Sequence, residues 1–216
     1  MLQYITDSSA KRSVEDQIKD VLAAGCGWIT IDPAGITDDE IKSVVEKVMP
    51  ECIEKQAFLI LKDKVQLAKE INVGGVVLSQ GSEFPSHARM TLGAAAVIGV
   101  EVSTKDQISA LQGLDVDYVV MNPYKTSGDT DVKALGTEGI KELCSFMENK
   151  QMELPRVAAG GVAYEDISSL MDAGCNGVAM SEFLADATDI AAETKNAIAL
   201  LKKYEEKELA KLNVNS

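Results

Sequence analysis

The residues of this sequence best suited to hold an anion are glycines rather than charged side chains. Arg156-Val-Ala-Ala-Gly-Gly-Val162 runs from an apolar stretch into the pair Gly160-Gly161, and Gly177-Val-Ala-Met-Ser181 ends a second apolar stretch in a serine. A glycine has no Cβ, so a ligand can approach the main chain, and N–H groups at the ends of two neighbouring parallel strands form an anion cradle. The pattern predicts a monophosphate seat at Gly160, Gly161, Met180 and Ser181. The competing reading is a glycine pair that serves only a tight strand-to-helix turn.

Other groups that could do chemistry read as structural. The four cysteines, Cys26, Cys52, Cys144 and Cys175, form no CxxC pair and share the chain with one histidine, which argues against zinc. Cys26 and Cys175 occupy the same place in two Ala-Gly-Cys-x-Gly segments, where a small apolar filler is expected. Histidine is a residue type suited to general-base work, but His87 falls between a strand and its helix, as a surface residue would. Trp28 opens a strand and is expected in the core. The run from Lys202 to Lys211 reads as a solvated helix with i,i+4 pairs.

The elements that must position the seat alternate regularly. Gln3–Thr6, Trp28–Asp32, Ala57–Leu61, Gly75–Leu78, Val97–Val102, Tyr118–Met121, Arg156–Ala159 and Gly177–Met180 are short apolar runs without polar alternation, as expected of parallel strands covered on both faces. Amphipathic helices are expected at Val14–Ala24, Asp38–Glu54 (after a Thr37 N-cap), Thr137–Asn149 and Tyr164–Ala173, with a long final helix from Ala187 to about Leu212. Four segments, beginning at Leu22, Glu70, Leu111 and Met171, repeat one plan: helix end, a Gly or Asn able to take left-handed φ, a short turn, a strand. Eight such cycles predict a single α/β domain, a (β/α)8 barrel over about residues 2–202 with a helical tail at 203–216. No GxGxxG follows the first strand, which argues against a dinucleotide site.

Composition narrows the ligand further. With 216 residues and 46% hydrophobic content the chain can bury a full core. Its net charge of -13 disfavours nucleic acid and anionic membrane surfaces, and also a highly phosphorylated substrate unless basic residues cluster locally. The apolar runs are too short to span a bilayer and the N-terminus has no signal-peptide layout, so a cytoplasmic protein is expected. Association with further copies of itself is compatible with the sequence.

The order of motifs resembles the thiamin phosphate synthase family, which also contains the thiazole tautomerases. It is carried by Leu2-Gln-Tyr-Ile-Thr6, Ala24-Gly-Cys-Gly-Trp-Ile29, Phe58-Leu-Ile-Leu-Lys-Asp-Lys-Val-Gln-Leu-Ala68, Gly75-Val-Val-Leu-Ser-Gln80, Val97-Ile-Gly-Val100, Asp117-Tyr-Val119, Ala158-Ala-Gly-Gly-Val162 and Gly177-Val-Ala-Met-Ser181. The resemblance implies a TIM barrel. It also implies a Mg²⁺-assisted transfer of hydroxymethylpyrimidine from its diphosphate to thiazole phosphate, giving thiamin phosphate and pyrophosphate. It places the metal at Asp63 and, with a one-residue shift, Glu83. The phosphate falls at Gly160, Gly161, Met180 and Ser181, with Thr126 from the sixth loop.

This sequence departs from the family pattern at the pyrophosphate end. Members usually close the second strand with Gln-x-Arg-x-Lys; here Asp32 takes the arginine position and Ala34 the lysine position. Glu101 stands at the end of the fifth strand where Ser or Thr is usual, and the Thr-rich sixth loop is reduced to Pro123-Tyr-Lys125-Thr126-Ser-Gly-Asp129. One ionic contact is worth on the order of 4 kcal/mol at near-surface dielectric, so exchanging attraction for repulsion is a large change. The expectation is a family-type barrel of thiamin biosynthesis that binds thiazole phosphate or thiamin phosphate and turns over poorly. A working synthase would need Asp63 and Glu83 to hold Mg²⁺ and Lys62, Lys64 or Lys125 to replace the missing cations; otherwise Asp63 is a loop acid paired with Lys62 or Lys64. A repurposed, non-catalytic phosphate binder is the main alternative. A thiazole tautomerase is the second, although its histidine position falls near Asn122–Pro123.

Overall fold

Eight short apolar runs become eight parallel strands that close on themselves in sequence order: β1 (Leu2–Ile5), β2 (Trp28–Ile31), β3 (Phe58–Lys62), β4 (Gly75–Leu78), β5 (Val97–Val102), β6 (Tyr118–Met121), β7 (Arg156–Ala158) and β8 (Gly177–Met180). The structure is a computed structural model and describes residues 1–126 and 133–214. β1 pairs with β8 through Leu2↔Val178 and Tyr4↔Met180, which closes the barrel, and Ile31↔Leu61 sets β2 against β3. This is the expected (β/α)8 barrel.

Burial on both strand faces explains the missing alternation. Ile60, Val77, Tyr118, Val120, Val157, Ala159 and Ala179 fill the barrel interior, while a larger apolar layer lies between strands and helices. Tyr118 occupies the centre, its ring so close to Gly99 that a Cβ there would overlap it. Gln3 reaches into the same interior and donates to Thr30 Oγ1 (2.7 Å) and Tyr118 Oη (3.1 Å). Trp28 packs edge-on against Tyr118 with ring centroids 5.1 Å apart, so it belongs to this core.

The first two helices begin where side chains satisfy their first N–H groups. Ser13 caps α1 (Val14–Ala23), and Thr37 with Glu40 forms a capping box on α2 (Asp38–Glu54). Short helices α3 (Val65–Glu70), α4 (Pro85–Leu92) and α5 (Lys105–Ala110) follow, then α6 (Gly136–Asn149). The segment expected as one helix over Tyr164–Ala173 is a 3₁₀ turn at Tyr164–Asp166 running into α7 (Ile167–Asp172). After β8 the chain makes a four-residue helix, α8 (Glu182–Ala185), and then α9 (Ile190–Val214), which packs on α1 and α7. The repeated joint is real: Gly25, Asn72, Gly113 and Gly174 all have positive φ. No described helix is long and apolar enough to cross a membrane.

All four cysteines are buried and free. Burial pushes the Cys26 thiol up to about 11. At pH 8 only on the order of one thiol in a thousand would be ionised there. The native chain is therefore expected to resist alkylation at Cys26 at pH 8 and to label fully in denaturant, as counted by intact mass. Rapid native labelling of Cys26 would contradict its role as buried filler.

Candidate functional site

The C-terminal ends of the strands open into a cavity of about 870 Å³. Its walls include Gly160, Gly161, Val162 and Ala163 after β7, and Ser181, Glu182 and Phe183 after β8. The N–H groups of Gly161, Val162, Glu182 and Phe183 meet no acceptor among the described residues, so these turns present donors to the cavity. Gly160 and Gly161 adopt φ of +89° and +66°, conformations that suit glycine.

The glycine pair also answers to packing. A Cβ at Gly160 would stand 2.5 Å from Asn122 Oδ1 and 2.8 Å from Pro123 Cα, and one at Gly161 would stand 2.9 Å from Lys125 Cβ. The sixth loop lies directly on this turn, with Tyr124 N donating to Ala159 O (2.6 Å) and Lys125 N to Gly160 O (2.8 Å). Asp166 secures the arrangement from behind. Its Oδ2 accepts from Lys125 Nζ (2.6 Å) and Ala163 N (2.9 Å), and its Oδ1 from Tyr124 Oη (3.2 Å). The turn that packs the loop also leaves the Gly161 and Val162 N–H groups without an acceptor among the described residues at the cavity wall.

The opposite wall is built around Lys62. β2 and β3 run in register, so Asp32 and Lys62 leave adjacent strand ends side by side. Lys62 Nζ lies 3.3 Å from Asp32 Oδ2 and 3.6 Å from Glu101 Oε1, the latter contributed by β5 across the mouth. Burial alone would lower the Lys62 pKa, but the Glu101 and Asp32 carboxylates outweigh it and hold the ammonium above its ordinary value. Each acid has a second anchor: Asp32 Oδ1 accepts from Ala34 N (2.9 Å), and Glu101 Oε2 from Asn122 Nδ2 (3.0 Å). Further carboxylates line the cavity from Asp7, Glu182, Asp186, Asp189 and Glu193, and Lys62 is the only lysine or arginine lining it among the described residues.

The expected site residues divide accordingly. Gly160, Gly161 and Ser181 come together at the cavity. Met180 is fully buried in the strand–helix core, and Thr126 is exposed on the sixth loop; neither lines the cavity. Ser127, Gly128 and Asp129 of that loop lie outside the described residues.

Asp63 and Glu83 do not meet in the cavity wall. Asp63 takes φ +59° and spends both carboxylate oxygens on Ser79, accepting from its N–H and its hydroxyl at 2.6 Å each, so it pairs with neither Lys62 nor Lys64. Lys64 pairs with Asp38 (2.9 Å). Glu83 pairs with the half-exposed His87. Mg²⁺ needs oxygen ligands free to close on one point. As placed, this pair does not fit a shared magnesium ion, and no group of three or more His, Cys, Asp or Glu among the described residues could hold a metal.

The Lys62 bridge and the acids after β8 escaped sequence reasoning. The bridge joins three strands and shows only once β2 to β5 are in register. Of these acids only Glu182 lies on the four-residue α8; Asp186 and Asp189 stand in the turn that follows and Glu193 in the first turn of α9, a stretch too short and irregular to carry a periodic signal.

A barrel with open donors after β7 and β8 is a general phosphate-binding plan. Residues 2–184 match the thiamine monophosphate synthase family. The chain belongs to that family. A thiamine-phosphate synthase from Bacteroides thetaiotaomicron is 33% identical over 91% of this chain and 95% of its own length. One from Azorhizobium caulinodans is 32% identical over 88% and 89%. A solved thiamine phosphate pyrophosphorylase from Pyrococcus furiosus superposes with a TM-score of 0.83 at 19% identity, covering 94% of this chain and 96% of that one, a likeness of fold.

Proposed function

We propose that this thiamine monophosphate synthase family member binds thiazole phosphate or thiamin phosphate, with the phosphate on the Gly160–Gly161 and Ser181 turns, and couples pyrimidine to thiazole only weakly. The observation that carries the reading is the set of acceptor-free N–H groups at Gly161, Val162, Glu182 and Phe183, which supports a phosphate at that end of the cavity. Coupling needs the departing pyrophosphate to be neutralised as its bond to the pyrimidine breaks. At the opposite wall the only ammonium among the described residues is committed to Asp32 and Glu101, so that charge has nothing there to meet.

What the chain's own groups do follows from this geometry. The β7 and β8 turns donate to the phosphate, and the barrel interior below them, capped by Ile5 and Ala159, excludes water from the ring of the ligand. The test combines amide-resolved NMR with a steady-state assay. Adding thiazole phosphate is expected to shift the Gly161, Val162, Glu182 and Phe183 amides first. With Mg²⁺ and both substrates, turnover is expected to fall about 10³-fold or more below that of the Bacteroides thetaiotaomicron relative, the scale on which lost transition-state donors act. Shifts confined elsewhere would remove the phosphate reading, and turnover matching the relative would remove the claim of weak coupling.

A further inference from the structure

The Lys62 bridge assigns a more specific role to two acids of this wall. We propose that Asp32 and Glu101 are specificity-determining residues that reserve Lys62, so that the cavity accepts a single phosphate and rejects a diphosphate. The proposal rests on the reading that the β7 and β8 turns hold a phosphate, and it adds the means by which a second phosphoryl group is refused.

Three features of the bridge support it. First, the side chains of Lys62, Asp32 and Glu101 are 26%, 24% and 13% exposed, so their charges are only partly screened by water. Second, one ammonium serves two carboxylates, leaving the cluster with a net negative charge in a cavity that Asp7 also lines. Third, both acids are held independently of the lysine, Asp32 by Ala34 N–H and Glu101 by the Asn122 amide. If Lys62 swung toward an incoming anion, the two carboxylates would stay behind, partly buried and facing it. A ligand cannot capture the lysine without meeting both acids, so the arrangement excludes a second phosphate instead of adapting to it.

The geometry also says how to release the block. Asp32→Asn keeps an acceptor for Ala34 N–H, and Glu101→Gln keeps one for Asn122, so each removes charge while preserving shape. Lys62 would then be a free ammonium facing the cavity.

Titration calorimetry with inorganic phosphate and inorganic pyrophosphate on the full chain tests this, with thermal melts to confirm folding of each variant. The wild-type chain is expected to bind pyrophosphate no more tightly than phosphate. The Asp32→Asn/Glu101→Gln double variant is expected to gain about tenfold or more for pyrophosphate and much less for phosphate, the scale of relieving like-charge contacts. Adding Lys62→Met to the double variant is expected to abolish the gain. Wild-type preference for pyrophosphate of about tenfold, an equal gain for both anions, or a gain that survives Lys62→Met would each overturn the proposal. The two readings fail separately. Pyrophosphate binding that appears only in the double variant, with no phosphate binding to any form, would sink the seat and keep the exclusion. Two anions that bind neither protein would sink both.

Discussion

Gly75→Ala is expected to lower the stability of the barrel by more than about 3 kcal/mol, the upper range for forcing extra volume into a packed core. A Cβ at Gly75 would overlap the Val97 carbonyl oxygen and stand 2.7 Å from both the carbonyl carbon and the nitrogen of Val97. These atoms belong to the backbone of the neighbouring strand, paired to Gly75 in register, so no side-chain rotation relieves the clash. Either β4 or β5 must move, and each is hydrogen-bonded on both sides in a closed barrel. Gly113→Ala is the control. Its φ of +81°, like the +155° of Gly75, disfavours alanine, but a Cβ there meets nothing within 4 Å, so the cost should stay near the conformational penalty of about 1 kcal/mol. Chemical denaturation of both variants measures the difference. Equal losses would mean that backbone conformation, and not the β4–β5 approach, decides these positions.

The same contrast marks what the sequence made legible. Strand cores, the helix-to-strand joints and the Gly160–Gly161 pair were readable because each is a local requirement: burial on two faces, positive φ, absence of a Cβ. Asp63 was misjudged because its partner is decided by its own left-handed φ, which turns the carboxylate onto Ser79 sixteen residues later, away from its lysine neighbours. Lys62 was readable as a cation but not as a committed one, since its partners come from β2 and β5. Sequence spacing locates strand ends, whereas charge pairing across a barrel mouth depends on the reach of side chains over an intervening strand. The closeness of the sixth loop to the glycine turn was hidden for a related reason. It depends on Asp166, an acid inside a 3₁₀ turn that looks in sequence like any exposed helix start.

Asp166→Ala is expected to cost about 2 kcal/mol and to weaken phosphate binding about tenfold, although the residue touches no part of the cavity surface. Its carboxylate is buried and satisfies Ala163 N–H and Tyr124 Oη together; the truncation leaves both without that partner. The Lys125 contact contributes less, because its side chain is 47% exposed and an exposed ion pair is screened. Asp166→Asn separates these contributions: it keeps an acceptor oxygen for the turn and removes only the charge, so it should lose under about 1 kcal/mol and retain binding. The hydrogen bond to Asp166 raises the Lys125 pKa above its ordinary 10.5, against a smaller opposing effect of burial. A group raised in the folded state contributes fully below its unfolded value and loses that contribution as pH climbs through the folded one. The stability gap between wild type and Asp166→Asn should therefore be flat through neutral pH and narrow as pH climbs above about 10.5, a trend denaturation at several pH values reads directly. If Asp166→Asn weakened phosphate binding as much as Asp166→Ala, the charge pair with Lys125, and not the hydrogen-bonded turn, would be what holds the sixth loop on the glycines.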